Sequence, residues 1–352
     1  MNAKNHPSLL PNGLQDLLAP SAENESRLIE LFIKSFGAFG YDRVKPPLVE
    51  FEDSLLGEGP GQALARQTFR MMDPVSGRMM GVRADVTSQI ARIATSRLSD
   101  AKRPLRLSYA ADVLRVNGSQ LRPERQFCQV GCELIGVDTL TADVEMPLIA
   151  VIALSKAGLE NLSIDLTVPT LTTHLYEELN VGADERETLN DFIEKRDRDG
   201  VAALKTETSA LVVELIDHDN LPKIALPKKA KADIEKLLKL EKDLRAALDV
   251  YGLQDVQITI DPLERRGFEY QTGASFTLFA QGARGELGRG GRYDVTVAGK
   301  SPETATGFTL YMDSILRIAP AFAPEKQQDV AGDADWKSVK FLQDQGIKVF
   351  RR

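Results

Sequence analysis

Apolar residues fall at helical spacing in some stretches of the chain and in short strand-like runs in others. Leu28, Ile29, Leu31, Phe32 and Phe36 recur every three to four positions, which predicts a helix from about Ala22 to Phe39, with Gly40 as its stop. Pro46 and Pro47 exclude helix, so Arg43 to Glu50 reads as extended. Thr68 to Met72 and Arg78 to Arg83 flank the turn sequence Asp73-Pro74-Val75-Ser76-Gly77, which predicts a hairpin. A helix follows from about Val86 to Leu98, carrying Ile90, Ile93, Ala94 and Arg97 on adjacent turns. Leu105 to Tyr109 and Gln126 to Ile135 read as strands, separated by a loop over Val116 to Glu124 that contains Asn117, Gly118, Ser119 and Pro123. A helix from about Ala142 to Ala157 and a strand from Ser163 to Val168 complete the first half.

From about Thr170 to Leu248 charge is dense, aromatics nearly vanish and strand patterns are absent. The segment reads as a helical insertion between two halves of a sheet, its Lys and Glu residues forming solvated helix faces. Strand character returns at Val256 to Ile260, Phe268 to Ala280 and Glu286 to Tyr293, and a helix is predicted from about Phe308 to Ile318. After Pro320 the chain is polar to Asp335, followed by a short helix over Trp336 to Gln343 and a short strand over Gly346 to Phe350. Helices and strands do not alternate regularly, and several strands pair through short turns. The pattern therefore predicts an α+β fold on an antiparallel sheet rather than a doubly wound parallel one.

Composition narrows the classes. The chain has 352 residues, 43% of them apolar and 27% charged, enough for a core and ordinary for a globular protein. Two cysteines make neither a disulfide framework nor a four-cysteine zinc site, and three histidines do not suggest a histidine-rich metal site. The net charge of −7 argues against binding nucleic acid by bulk charge. No apolar run reaches the length of a membrane span, and Met1 to Asn12 has no secretory apolar stretch. The expectation is a soluble cytoplasmic protein with reduced thiols.

Four clusters could carry chemistry. On the Gln126 to Ile135 strand, Cys128, Val130, Cys132 and Leu134 share one face, and Phe127, Gln129, Gly131 and Glu133 share the other. The first is a core face. The second is either a shelf on which Gln129 and Glu133 bind an amine or an imidazole over Gly131, or a polar face turned to water. In Arg265-Arg266-Gly267-Phe268-Glu269-Tyr270 an arginine beside a glycine can clamp a carboxylate or a phosphate, or pair locally with Glu264 or Glu269. Gly288-Arg289-Gly290-Gly291-Arg292-Tyr293-Asp294 is glycine-rich but is neither a phosphate loop nor a dinucleotide fingerprint. Asp85 in Arg83-Ala84-Asp85-Val86-Thr87 can cap the helix that begins there, or face a ligand amine together with Thr87. His6, His174 and His218 have no partner motif and read as surface residues; no Ser/His/Asp triad is present.

In order, these pieces resemble the catalytic domain of class II aminoacyl-tRNA synthetases, specifically histidyl-tRNA synthetases, over about Pro11 to Ile318. Leu10 to Asp16 matches near the start, Pro46-Pro47 resembles the first class motif, and Arg106 to Gly136 resembles the second. Arg266-Gly267-Phe268-Glu269-Tyr270 and Gly290-Gly291-Arg292-Tyr293-Asp294 resemble the two signatures of the histidine enzymes. The resemblance implies an antiparallel sheet flanked by helices, a dimer and a pocket for free histidine. By position Asp85, Thr87 and Gln129 would hold the α-amino group, Glu133 would accept from the imidazole and Arg266 would meet the carboxylate. Tyr270 and Tyr293 would line the pocket.

The departures redirect the reading. Arg115 is retained in the second motif, but Asn117 stands where an acid would help hold ATP. In the third motif, Gly307-Phe308-Thr309-Leu310-Tyr311-Met312-Asp313-Ser314, Tyr311 replaces a glycine and Ser314 replaces the arginine that would face the triphosphate. Gln271 replaces a pocket tyrosine. A lost charge-assisted contact costs about 1.5–3 kcal/mol, so ATP chemistry should be crippled while an amino-acid pocket survives. Residues 1–320 would form one synthetase-like body, and 321–352 a short tail in place of an anticodon-binding domain. This combination is similar to the regulatory subunits of ATP phosphoribosyltransferase. That resemblance implies a non-catalytic protein without cofactor or metal that binds free L-histidine, including through Arg115. It also implies docking on a short-form catalytic subunit as a homodimer within a hetero-oligomer, with neither membrane nor tRNA as partner. The alternatives are an active histidine–tRNA ligase and a ligase-like paralogue for another amino acid.

Overall fold

A computed structural model of the chain describes residues 9–57, 61, 64–119, 122–217, 221–265, 270–296, 301–323 and 326–352. Contacts divide the chain into two units, residues 1–319 and 320–352. The first opens with helix α1 (Ser21–Gly37), which buries Leu28, Phe32 and Phe36, the stripe that its spacing predicts. Short strands β1 (Asp42–Arg43) and β2 (Val49–Phe51), a turn of helix α2 (Glu52–Leu55) and the hairpin β3 (Arg70–Met72) and β4 (Met79–Val82) follow. Asp73 holds the hairpin turn by accepting from the N–H groups of Val75 and Ser76. Strand β2 pairs with β4, so hairpin and strand make a three-stranded sheet.

Next come α3 (Thr87–Thr95), β5 (Leu105–Leu114), β6 (Gln126–Ile135), α4 (Leu140–Lys156) and β7 (Leu162–Thr167). The insertion is helical as predicted: α5 (Thr170–Glu178), α6 (Ala183–Glu194), α7 (Arg198–Ala203), α8 (Glu207–Asp217) and α9 (Lys228–Val250). Its charges form solvated faces, with i,i+4 pairs such as Lys195–Asp191 and Lys239–Asp243, while Ile234, Leu237, Leu244 and Leu248 turn α9 inward. His174 departs from the surface expectation. It is half-buried and bonded to Asp233 at 2.6 Å. His6 and His218 lie outside the described residues.

Strands β8 (Gln257–Ile260), β9 (Gln271–Ala280), β10 (Gly288–Val295) and β11 (Glu303–Tyr311) and the short helix α10 (Met312–Leu316) end the first unit. The main sheet has eight strands in the order β1-β5-β6-β11-β10-β9-β7-β8. Its interior pairings are antiparallel; β1 on β5 and β8 on β7 are parallel edges. The antiparallel α+β expectation therefore describes the body of the sheet.

The helix predicted over Phe308 to Ile318 is right for Met312–Leu316 and wrong for its first four residues. Residues up to Tyr311 form β11, between β6 and β10, and helix starts only at Met312. A central strand buried on both faces is a short apolar run, and periodicity does not separate it from a buried helix. Thr304, Thr306 and Thr309 are the β-branched signal that favours strand.

The second unit contains β12 (Gln327–Val330), α11 (Trp336–Asp344) and β13 (Lys348–Arg351), with the two strands parallel. Asp335 caps α11 by accepting from the N–H groups of Lys337 and Ser338 at 2.9 and 3.0 Å. β12 was not anticipated, because Gln327-Gln328-Asp329-Val330 shows no apolar alternation.

Candidate functional site

A cavity of about 410 Å³ opens on the main sheet, lined by Asp85 and Thr87 at the start of α3, Glu133 on β6, and Gly290, Gly291 and Tyr293 on β10. Gly307 and Thr309 on β11, with Tyr270 and Gln271, complete much of the wall. Of the eight predicted site residues, Asp85, Thr87, Arg115, Glu133, Tyr270 and Tyr293 meet here. Gln129 does not line the cavity, and Arg266 lies outside the described residues, as do Gly267, Phe268 and Glu269.

Gln129 is fully buried with both ends engaged. Its Oε1 accepts from the Val86 N–H at 3.0 Å and its Nε2 donates to Asp85 Oδ2 at 2.7 Å. Its amide is therefore directed at Asp85 and the backbone, away from the cavity. The other oxygen of Asp85 accepts from the Thr87 N–H at 2.9 Å. The two readings of Asp85 coexist, since it holds the first turn of α3 and also borders the cavity. Arg115 lies 3.7 Å from it and donates to the Ala84 carbonyl at 3.1 Å.

Glu133 is the most unusual group. Only 1% of its surface is exposed, yet no cation pairs with it among the described residues. Its Oε1 accepts from the Thr87 hydroxyl at 3.1 Å and its Oε2 from the Tyr293 hydroxyl at 2.9 Å. Burial pushes its carboxyl up to about 8, partly opposed by these two bonds. Burial also raises the Tyr293 phenol, keeping it a donor. Tyr270 meets the Tyr293 ring edge-on, with centroids 5.8 Å apart.

A pH dependence follows. Folding raises the Glu133 pKa, so the native chain holds this proton more tightly than the unfolded one. The contribution is complete below the ordinary value of 4.5 and is lost as pH rises through about 8. Its size is on the order of 5 kcal/mol. Urea unfolding across that range should show wild type losing stability relative to Glu133→Gln; parallel curves would contradict the assignment.

The glycines behave differently from the expectation. Gly131 does not leave space for a ligand. A Cβ there would lie 2.1 Å from the Phe308 carbonyl oxygen and 2.6 Å from the Tyr109 hydroxyl, which is bonded to Thr309 Oγ1 at 2.6 Å. The glycines that border the cavity are Gly290, Gly291 and Gly307, and each is closely packed against its neighbours. Gly307 sits opposite Glu133 across the β6–β11 ladder, and a Cβ there would fall 1.8 Å from Glu133 Oε2. A Cβ on Gly291 would meet the Gln271 amide oxygen at 2.2 Å. The Arg292 of the same motif is a structural tie, donating to Asp143 at 3.1 and 2.8 Å. Free Cys128 and Cys132 are buried on the opposite face of β6, as predicted.

A second cavity, of about 600 Å³, shares Leu64, Arg115, Glu286 and Arg289 with the first and includes Asn117 and Ser314 in its wall. Here the loop before β6 supplies Arg122. Its guanidinium lies 3.7 Å from the centre of the Tyr311 ring and 5.2 Å from that of Phe127, and its Nε reaches Asp313 at 3.1 Å. The tyrosine that replaces glycine in the third motif is thus covered by the chain's own arginine. Arg122, Glu286 and Arg289 were not anticipated. Glu286 and Arg289 pair three positions apart at the edge of the glycine-rich stretch, and Arg122 reaches Glu286 only through the fold of the sheet.

Among the described residues no helix is long and apolar enough to cross a membrane, and no group of three or more His, Cys, Asp or Glu is arranged to hold a metal.

Similarity to known proteins accords with this geometry. A family model described as histidyl-tRNA synthetase matches residues 13–315. The ATP phosphoribosyltransferase regulatory subunit of Rhodospirillum centenum is 48% identical over 347 residues, covering 96% of this chain and 88% of that protein. Its counterpart from Rhodospirillum rubrum is 47% identical over 322 residues, covering 90% and 83%. Among solved structures, one described as an ATP phosphoribosyltransferase regulatory subunit/histidyl-tRNA synthetase from Bacillus halodurans superposes with a TM-score of 0.81 at 20% identity, covering 99% and 93%. A histidyl-tRNA synthetase from a Nostoc species gives 0.77 at 17%, covering 99% and 86%. At those identities the structures establish the fold alone, and it is the synthetase fold. With close relatives matched over nearly their whole length, the chain belongs to the family of ATP phosphoribosyltransferase regulatory subunits.

Proposed function

We propose that the chain is the histidine-sensing, non-catalytic partner of a short-form ATP phosphoribosyltransferase catalytic subunit, which it activates and subjects to feedback inhibition. The observation that carries the sensing role is Glu133, buried without a cation among the described residues and facing a cavity of about 410 Å³ beside Asp85. That volume suits a small ligand held by a few fixed polar groups. Histidine offers an ammonium to Asp85 and Thr87 and an imidazole N–H to Glu133, beside the packed pair of Tyr270 and Tyr293 rings. By its place in the histidine signature, Arg266 takes the carboxylate, and Arg115 lines the same cavity as a further contact. Gln129 supports Asp85 from behind. The working assembly is a homodimer within a hetero-oligomer, with no tRNA bound.

The neighbouring cavity supports the absence of ligase chemistry. Arg122 stacked on Tyr311 occupies an aromatic face that a nucleotide base could otherwise use, and Ser314 offers no charge to a triphosphate. Inhibition then works by linkage. Histidine shifts the catalytic partner only to the extent that it binds one state of the assembly better than another.

Calorimetry on the purified chain tests this reading, with histidine, other amino acids and ATP titrated separately. Saturable heat is expected from histidine, with little from ATP. ATP–pyrophosphate exchange, or preference for a different amino acid, would overturn it. Co-purification with a short phosphoribosyltransferase, and histidine-dependent loss of that partner's activity, test the assembly.

A further inference from the structure

Arg196 occupies a position that favours glycine. It follows α6 and its C-terminal residue Lys195, with φ at +57°, in the left-handed region that a side chain makes costly. The backbone pattern is that of a helix end closed by a left-handed residue. The Arg196 N–H bonds the Ile193 carbonyl at 3.1 Å and the Asp197 N–H bonds the Phe192 carbonyl at 2.9 Å. Glycine would make this turn with less strain, so the arginine's contribution has to be sought in its side chain.

That side chain leaves the insertion and bridges two carboxylates on the segment after β8. Its Nη2 pairs with Asp261 and, at 3.1 Å, with Glu264. Further back on α6, Asn190 Oδ1 accepts from Arg265 Nη1 at 2.7 Å and from the Tyr176 hydroxyl on α5 at 3.2 Å. The insertion thus grips both ends of Asp261–Arg265. The sheet holds the same segment from its other side. The Asp261 N–H bonds the Leu166 carbonyl at 2.9 Å, and the Thr167 hydroxyl bonds the Glu264 carbonyl at 2.8 Å. In sequence this segment leads toward Tyr270, which lines the cavity with Glu133.

We propose that Arg196 and Asn190 are positioning residues for the effector pocket, holding Asp261–Arg265 so that the helical insertion sets the affinity for histidine. The proposal rests on the histidine-sensing reading above. It makes the insertion part of the sensor: a state of the assembly that moves α6 would change affinity through this clamp, without touching the ligand.

Arg196→Gly separates positioning from folding, because it keeps the turn, relieves the backbone and removes the guanidinium. The melting temperature should be unchanged or higher. Histidine affinity by calorimetry should fall about fivefold or more, since only the fraction of chains with the segment in place binds. In ligand-free protein, hydrogen exchange at the amides of Asp261 to Arg265 should quicken while β6 amides stay protected. Asn190→Ala should shift affinity in the same direction. Wild-type affinity in Arg196→Gly, or unchanged exchange over 261–265, would overturn the proposal. If wild type itself binds no histidine, the sensing reading fails, and the exchange result still decides whether the clamp exists.

Discussion

Glu133→Gln is expected to weaken histidine binding by one to two orders of magnitude and to abolish feedback while leaving activation of the catalytic partner intact. The amide matches the carboxyl in shape, so the cavity keeps its form. Unlike the carboxyl, it has no proton to give up on binding and so cannot become a charge-assisted acceptor for an imidazole N–H, a loss of about 1.5–3 kcal/mol. One end of the amide also presents N–H groups where the carboxyl oxygens now accept from the Thr87 and Tyr293 hydroxyls. The fold should not suffer, because the costly buried carboxyl has been removed. The measurements are calorimetry with histidine and the partner's activity with and without histidine. Undiminished inhibition in this variant would remove Glu133 from the effector site.

Gly307→Ala should be the most damaging small substitution at the site, destabilising the chain by about 3 kcal/mol and eliminating histidine binding. A methyl group there would fall 1.8 Å from Glu133 Oε2 and 2.6 Å from the Cys132 carbonyl oxygen. The backbone oxygen cannot move without breaking the β6–β11 ladder, and the Glu133 carboxylate is hemmed in by Thr87 and Tyr293. Gly37 on α1 is the control. Nothing lies within 4 Å of a Cβ added there, so Gly37→Ala should change stability by less than about 1 kcal/mol. Urea midpoints for the two variants give the comparison. Similar midpoints would show that the sheet accommodates the methyl and that Gly307 is not what seats Glu133.

Much of this site was legible in advance, but in unequal parts. Glu133 is named from strand alternation, Asp85 and Thr87 from the stretch that opens a helix, and Tyr270 and Tyr293 from two short signatures, and the structure places all five around one cavity. Gln129 was named with them, yet its amide is spent on Asp85 and Val86 behind the cavity wall. Alternation assigns a residue to a face of the sheet; it does not tell whether that face is covered by α3 at that point. The same limit explains Gly131, which serves the packing of Tyr109 rather than the ligand. The strand β11 was misread because a fully buried strand has lost the polar half of its alternation.

The amino-acid order by itself determined the amphipathic helices, the hairpin turn, the charged helical insertion and the family signatures. All of these depend on neighbours a few positions apart, and that spacing is written directly in the chain. Tertiary structure alone decided that Glu133 is buried without a cation among the described residues and held by hydroxyls 46 and 160 positions away. It alone placed Gly307 opposite that carboxyl, laid Arg122 over Tyr311, and brought Arg196 of the insertion to Asp261 and Glu264. The physical reason is that a carboxyl's proton affinity, a cavity's walls and an ion pair's partners depend on distances through space. Those distances exist only once β6, β10, β11 and the insertion have packed.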